Sequence, residues 1–140
     1  MRPGVMDRIG DAGVATVSLA VDSVDDRKEL PKALDPIRPY FEYLLKNQYV
    51  YGCSVFFNIN ITRTNLEEVR RLTEIAHDVG MATDYHINET PVLEQPHLRH
   101  KSGNSTYITE ADWPEVDSTI DCSSRGTLGL QDGELSPAVG

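Results

Sequence analysis

Cysteine is scarce in this chain: two in 140 residues, Cys53 and Cys122. They stand far apart and in no metal-ligand spacing. No thiolate-held zinc site or iron–sulfur loop is encoded by them, and in a reducing compartment both are expected to be free thiols. Positive charge is scarce too. Thirteen Lys and Arg against 22 Asp and Glu leave a formal net charge of −9. That balance disfavours nucleic acid or an anionic membrane surface as the main partner, because both are bound through clustered Lys and Arg. No apolar run approaches the ~18 residues that suggest a bilayer span. The opening segment carries Arg2, Asp7, Arg8 and Asp11 and lacks the continuous apolar core of a signal peptide. The cytoplasm is therefore the expected compartment. A nucleophile elbow, a phosphate loop and a dinucleotide glycine fingerprint are also absent.

What is present is a repeating alternation of elements. Arg2 to Gly13 reads as the end of a helix with Val5, Met6 and Ile9 as its apolar residues and Gly10 and Gly13 as stop signals. Val14 to Val21 is rich in β-branched residues and reads as a strand. After a charged loop from Asp22 to Lys32, Asp35 can cap a helix whose first position suits Pro36. Ile37, Phe41, Leu44 and Leu45 fall on one face of it, and Tyr40, Phe41 and Tyr43 are most simply helix-face residues. Tyr49 to Ile61, chiefly from Ser54 onward, reads as a second strand. Thr64 and Glu67 then have capping-box spacing. Leu66, Val69, Leu72, Ala76 and Val79 form the stripe of the clearest helix, Gly80 suits a left-handed cap, and His77 fits a structural role near the helix end. Met81 to Ile87 is the third strand. Crossovers of this length imply parallel strands and an α/β fold.

The pattern fades after Asn88. Glu89 to Ser105 reads as a polar loop, and a helix is expected to begin near Asp112, just before Trp113 and Pro114. The expected division is a structured unit over 1–120 and an irregular, disordered tail over 121–140.

Side chains alternate between the faces of a strand, and the three strands sort accordingly. Thr16, Ser18, Ala20 and Asp22 share a parity; so do Asn58, Asn60 and Thr62; so do Ala82, Asp84, His86 and Asn88. Each polar stripe strengthens toward the C-terminal end of its strand. A sheet covered on both faces would be apolar on both. Inward stripes of amides and hydroxyls suit a barrel lumen or cleft, where active sites lie at the C-terminal strand ends. The simpler explanation of the same stripes is that one face of the sheet meets solvent.

The run from Gly13 to Ser23, with Ser18, Leu19 and Asp22, resembles the fourth strand of the radical S-adenosylmethionine (SAM) enzymes. Val55 to Glu68 resembles their fifth strand and following helix, and Asp84 to Asn88 their sixth strand. The resemblance covers about Met1 to Asn88 and at its widest extends to Ile120, so the radical SAM-like unit is expected over 1–120. It implies a partial (β/α) barrel of parallel strands with helices on the outer face. It also implies, for an intact parent, a [4Fe-4S] cluster that cleaves SAM to a 5′-deoxyadenosyl radical and abstracts hydrogen from a small-molecule substrate. On that resemblance Ser18 and Asp22 are expected to contact the SAM ribose, Asn58, Asn60 and Thr62 to support adenine and methionine, and His86 and Asn88 to contact adenine or substrate. The chain departs from the family in three respects, one being that the second-strand motif for the SAM amino group is missing. The C-x3-C-x2-C loop is missing and would lie before Met1, and the fifth-strand Gly-x-Ile-x-Gly-x-x-Glu pattern is replaced by Asn58 and Asn60. The expectation is a fragment that keeps part of the SAM and substrate wall but not the cluster, with open barrel edges that favour self-association.

Two other readings of the residues stand beside it. One is a non-catalytic α/β binding or interaction module. The other is a histidine–carboxylate metal site drawing on His86, His97 and His100 with Asp84, Glu89 and Glu94. Against the latter, His97 and His100 form a loose loop pair without a recognised ligand pattern.

Overall fold

The computed structural model describes residues 3–88 and 107–128, with side chains placed over 4–88 and 107–121. Helices and strands alternate: α1 (Pro3–Asp11), β1 (Thr16–Ala20), α2 (Arg38–Tyr51), β2 (Ser54–Ile61), α3 (Leu66–Asp78), β3 (Ala82–Ile87) and α4 (Trp113–Leu128). The three strands form one sheet in the order β1-β2-β3, and both pairings are parallel. Because strand order follows chain order, successive crossovers progress in one direction. Crossovers of one hand then put the helices on the same side of the sheet.

Burial follows that winding. In β2 every second residue, Val55, Phe57, Ile59 and Ile61, is buried. Phe57, Ile59 and Ile61 share one apolar cluster with Phe41 of α2, the stripe Leu66, Val69, Leu72 and Ala76 of α3, and Val116 of α4. Phe57 and Phe41 stack with ring centroids 5.2 Å apart. A smaller cluster of Met6, Leu44 and Val55 joins α1 to the N-terminal end of the sheet. The opposite face bears no helix among the described residues, and Thr16, Ser18, Ala20, Ala82, Asp84 and His86 are exposed there. The expected α/β class with parallel strands and one-sided helices is therefore present as an open sheet.

Local chemistry explains most element boundaries. Helix α3 ends in a Schellman motif: the Met81 N–H donates to Ala76 O at 2.8 Å and the Gly80 N–H to His77 O at 3.0 Å. Gly80 takes φ +65°, which a β-carbon would penalise. Gly10 is not a stop signal, since α1 runs through it to Asp11. Its missing side chain serves packing, for a β-carbon there would fall 2.7 Å from the Tyr51 ring. The Tyr51 hydroxyl donates to Asp7 at 2.6 Å, and that bond holds the phenol above its ordinary range.

Several expectations need correction. The Thr64–Glu67 capping box does not form. Asn65 occupies the N-cap, Thr64 turns to Thr62, and Glu67 pairs with Arg70. Asp35 opens a short 3₁₀ turn, Asp35–Ile37, and binds Arg38 at 2.7 Å instead of capping α2. Val79 leaves the buried stripe and is 45% exposed, because α3 has already ended at Asp78. Helix α4 passes the boundary expected at residue 120 and continues to Leu128. The loop with His97 and His100, and the tail over 129–140, lie outside the described residues.

The start of α4 is fixed by charge. Thr109 and Asp112 form the capping box of a 3₁₀ turn, Glu110–Asp112, that leads into α4, and Arg63 reaches across from the β2–α3 turn to Asp112 at 2.9 Å and to Thr109 at 2.7 Å. The Arg63 hydrogen bond, followed by those from Thr109, lowers the Asp112 carboxyl to about 2. A lowered carboxylate contributes stability above its unfolded value of 3.8 and loses it as the pH falls toward 2. Urea denaturation across that window should show stability falling with acid. Asp112→Asn should reduce the slope, and an unchanged slope would count against the contact.

Candidate functional site

The uncovered face is the place where polar side chains gather without being consumed by the core. Strand register sets their neighbours. Asn58 lies between Ala20 and Asp84, and Asn60 lies beside His86, one step closer to the C-terminal strand ends. Paired strands run about 4.8 Å apart, so these side chains are contiguous. His86 Nε2 stands 3.3 Å from Asp84 Oδ2, and both side chains are more than half exposed. The Asn58 and Asn60 side-chain amides have no hydrogen-bond partner among the described residues. The face thus offers amide donors and acceptors, one carboxylate and one imidazole within a few ångströms.

The residues singled out from the sequence divide into two groups. Ser18, Asn58, Asn60 and His86 lie on this face. Thr62 does not share it. Thr62 is buried just past the end of β2, and its hydroxyl is engaged by Asn65 at 3.0 Å and Thr64 at 3.2 Å. Asp22 is drawn into the sheet. Its Oδ1 accepts the Asn60 N–H at 3.1 Å, next to the rung in which the Val21 N–H donates to Asn58 O. Its Oδ2 faces Lys32 at 3.8 Å. Asn88 lies beyond β3, where its N–H donates to Ile61 O and its carbonyl accepts the Ile108 N–H at 2.8 Å.

Two residues behind the rim set its shape. Asn65 is 1% exposed and uses its whole amide: Nδ2 donates to Asp22 O at 3.0 Å and Asn60 O at 2.9 Å, while Oδ1 accepts from the N–H and hydroxyl of Thr62. It thereby bridges the ends of β1 and β2. Glu68, 2% exposed, accepts the Val24 N–H at 2.8 Å and pairs with Arg27 at 2.8 Å and Arg71 at 3.0 Å. Arg71 also binds Asp25 at 2.7 Å, and that hydrogen bond holds the Asp25 carboxyl below its ordinary range. The loop after β1 is therefore latched onto α3. Sequence reasoning missed both residues. The available signal was their helical spacing with the stripe Val69, Leu72 and Ala76, which puts a polar group on the buried side. It also passed over Phe56, which shares the parity of Asn58.

The cysteines do not fit an iron–sulfur cluster. Such a cluster needs three or four thiolates, whereas the chain has two cysteines. Cys53 is buried before β2, at the end of the sheet away from Asn60 and His86. Among the described residues, no three His, Cys, Asp or Glu side chains gather as metal ligands. Likewise, no helix among them is long and apolar enough to cross a membrane. Comparison of the chain with protein families, with curated proteins and with solved structures returned no match.

Proposed function

We propose that this chain is the later part of a radical SAM barrel and that its uncovered sheet face is a wall against which SAM or substrate is bound. One observation carries the reading: Asn58, Asn60, Asp84 and His86 stand side by side toward the C-terminal ends of consecutive parallel strands, on the face away from the helices. Sequential parallel strands with one-sided helices are how a barrel is wound, and barrel ligands sit at that end. Amides and a carboxylate can exchange hydrogen bonds with ribose hydroxyls and with the edge of adenine. The SAM sulfonium is a cation, and Asp84 presents a compensating charge. Ser18 lies further down the same wall, and Asp22, Thr62 and Asn88 support its rim.

Hydrogen abstraction in intact radical SAM enzymes requires a cluster that these residues do not hold, so no reaction step is assigned to them. Their part is to bind and orient. Calorimetric titration of the 140-residue chain with SAM tests the reading. Binding is expected, weakened about tenfold in Asn58→Ala, in line with loss of a hydrogen bond to a ligand. Anaerobic reconstitution with iron and sulfide is expected to leave no stoichiometric cluster. Absence of SAM binding would favour a non-catalytic α/β interaction module, with the sheet edges as its association surface.

A further inference from the structure

Strand β1 ends the sheet, and its outer side is open. Backbone groups alternate in direction along a strand, and those of Ala15 and Val21 turn toward β2: Ala15 O accepts the Ser54 N–H at 2.9 Å, and the Val21 N–H donates to Asn58 O at 3.1 Å. Thr16, Ser18 and Ala20 therefore point their N–H and C=O groups outward. Just past the strand that outer lane is filled, since the Asp22 N–H donates to Lys32 O at 2.8 Å and Ser23 bridges Ala33. Over Thr16–Ala20 no strand fills it among the described residues. Proteins blunt such edges with Lys, Pro or a bulge. The β1 sequence, Thr-Val-Ser-Leu-Ala, has neither Lys nor Pro, and its register with β2 runs without a break.

The side chains decide what fits there. Thr16 and Ser18 are exposed on the open face, and Val17 between them is half-buried on the helix side. Hydroxyl, branched apolar, hydroxyl reads nearly the same in both directions. A twofold axis at Val17 sets Thr16 of each copy against Ser18 of the other, and Val17 against itself. Thr–Ser and β-branched pairs are both favourable across antiparallel strands, and an isologous contact requires such self-matching. The same register joins the backbones. The outward groups of Thr16 and Ser18 form the hydrogen-bonded pairs, and Val17 takes the close position between them, with Cα atoms about 4.5 Å apart. Charge agrees: copies that each carry −9 repel, and β1 has no charged residue to bring face to face.

We propose that β1 pairs antiparallel with β1 of a second copy about a twofold axis at Val17, joining the two sheets into one and making their open faces continuous. The contact needs no ligand and is independent of the SAM reading.

Sedimentation equilibrium of the whole chain over a wide concentration range tests it. A reversible monomer–dimer equilibrium is expected. Ser18→Pro deletes an outward N–H and none that β2 uses, so it should weaken the dimer about tenfold or more. Should that variant fail to fold, Ser18→Glu makes the same test from an exposed side chain, by placing like charges on either side of the axis. Val17→Cys reads the register. Mild oxidation should link it into a dimer, because the spacing lies within the disulfide range of about 4.4–6.8 Å. Leu19→Cys, off the axis, should stay unlinked, and the parent with Cys53 and Cys122 sets the background. A chain that stays monomeric, leaving the edge to an extended segment of another protein, overturns the proposal. So does growth into open polymers, a dimer indifferent to the Ser18 variants, or a disulfide at Leu19→Cys in place of Val17→Cys.

Discussion

Replacing Asn65 by alanine should lower the stability of the chain by about 3 kcal/mol. Each buried polar group left without a partner costs roughly 1–3 kcal/mol, and this change strands three backbone groups at once: Asp22 O, Asn60 O and the Thr62 N–H. The total is set below their sum because Asp22 and Asn60 are half-buried and water can reach their side of the rim. A loss of that size corresponds to a fall of roughly 10 °C in thermal midpoint for a chain of this length. Asn65→Asp discriminates the mechanism. It keeps the acceptor for Thr62 but turns an oxygen toward two carbonyl oxygens, so it should be at least as damaging as alanine despite its shape. Urea denaturation of both variants gives the answer, and wild-type stability in Asn65→Asp would refute the bridging role.

The second large effect is expected at Glu68. Removing one partner of a buried ion pair costs ~3–5 kcal/mol. Here Arg27 and Arg71 are 48% and 38% exposed and regain water when released, so the loss in Glu68→Ala is set at about 2–3 kcal/mol. Glu68→Gln retains an acceptor for the Val24 N–H and should fall between alanine and the parent. The local consequence is more specific than the global one. With the latch gone, the loop after β1 should open without global unfolding. Trypsin should then cut after Arg27 and Lys28 about tenfold faster at fixed temperature. Arg70→Ala, which touches only the exposed Glu67 pair, serves as the control. Equal cleavage rates in Glu68→Ala and the parent would show that the loop is held by something other than this carboxylate.

Asn65 caps α3 and Glu68 lies in its first turn, and each bonds a backbone group more than 35 residues earlier in the chain. Asn65 sets how β1 and β2 end, and Glu68 sets how the following loop lies. The geometry of the polar rim is thus governed by one helical turn behind it.

The sequence by itself determined the alternation of elements, the parity of each strand and the sign of the surface charge. These are short-range properties. Period-2 alternation told the covered face of β2 from the open one, and Gly80 marked the end of α3 because few other residues tolerate its backbone conformation. It also located Ser18, Asn58, Asn60 and His86 on a common face, since parity alone decides that. Only the tertiary structure decided what lies beyond the strand ends, where parity stops holding. Thr62 continued the polar stripe on paper but turned inward to Asn65, and Asp22 left the open face to accept a strand N–H. Asn65 and Glu68 owe their roles to the end of β1 and the loop after it, whose backbone groups they bind. The physical reason is one and the same: a buried polar group is assigned by the partner that satisfies it, and here each partner is brought in from a distant part of the chain. The polar face opened by strand parity is therefore legible in the sequence, while the turn that holds its rim in place is not.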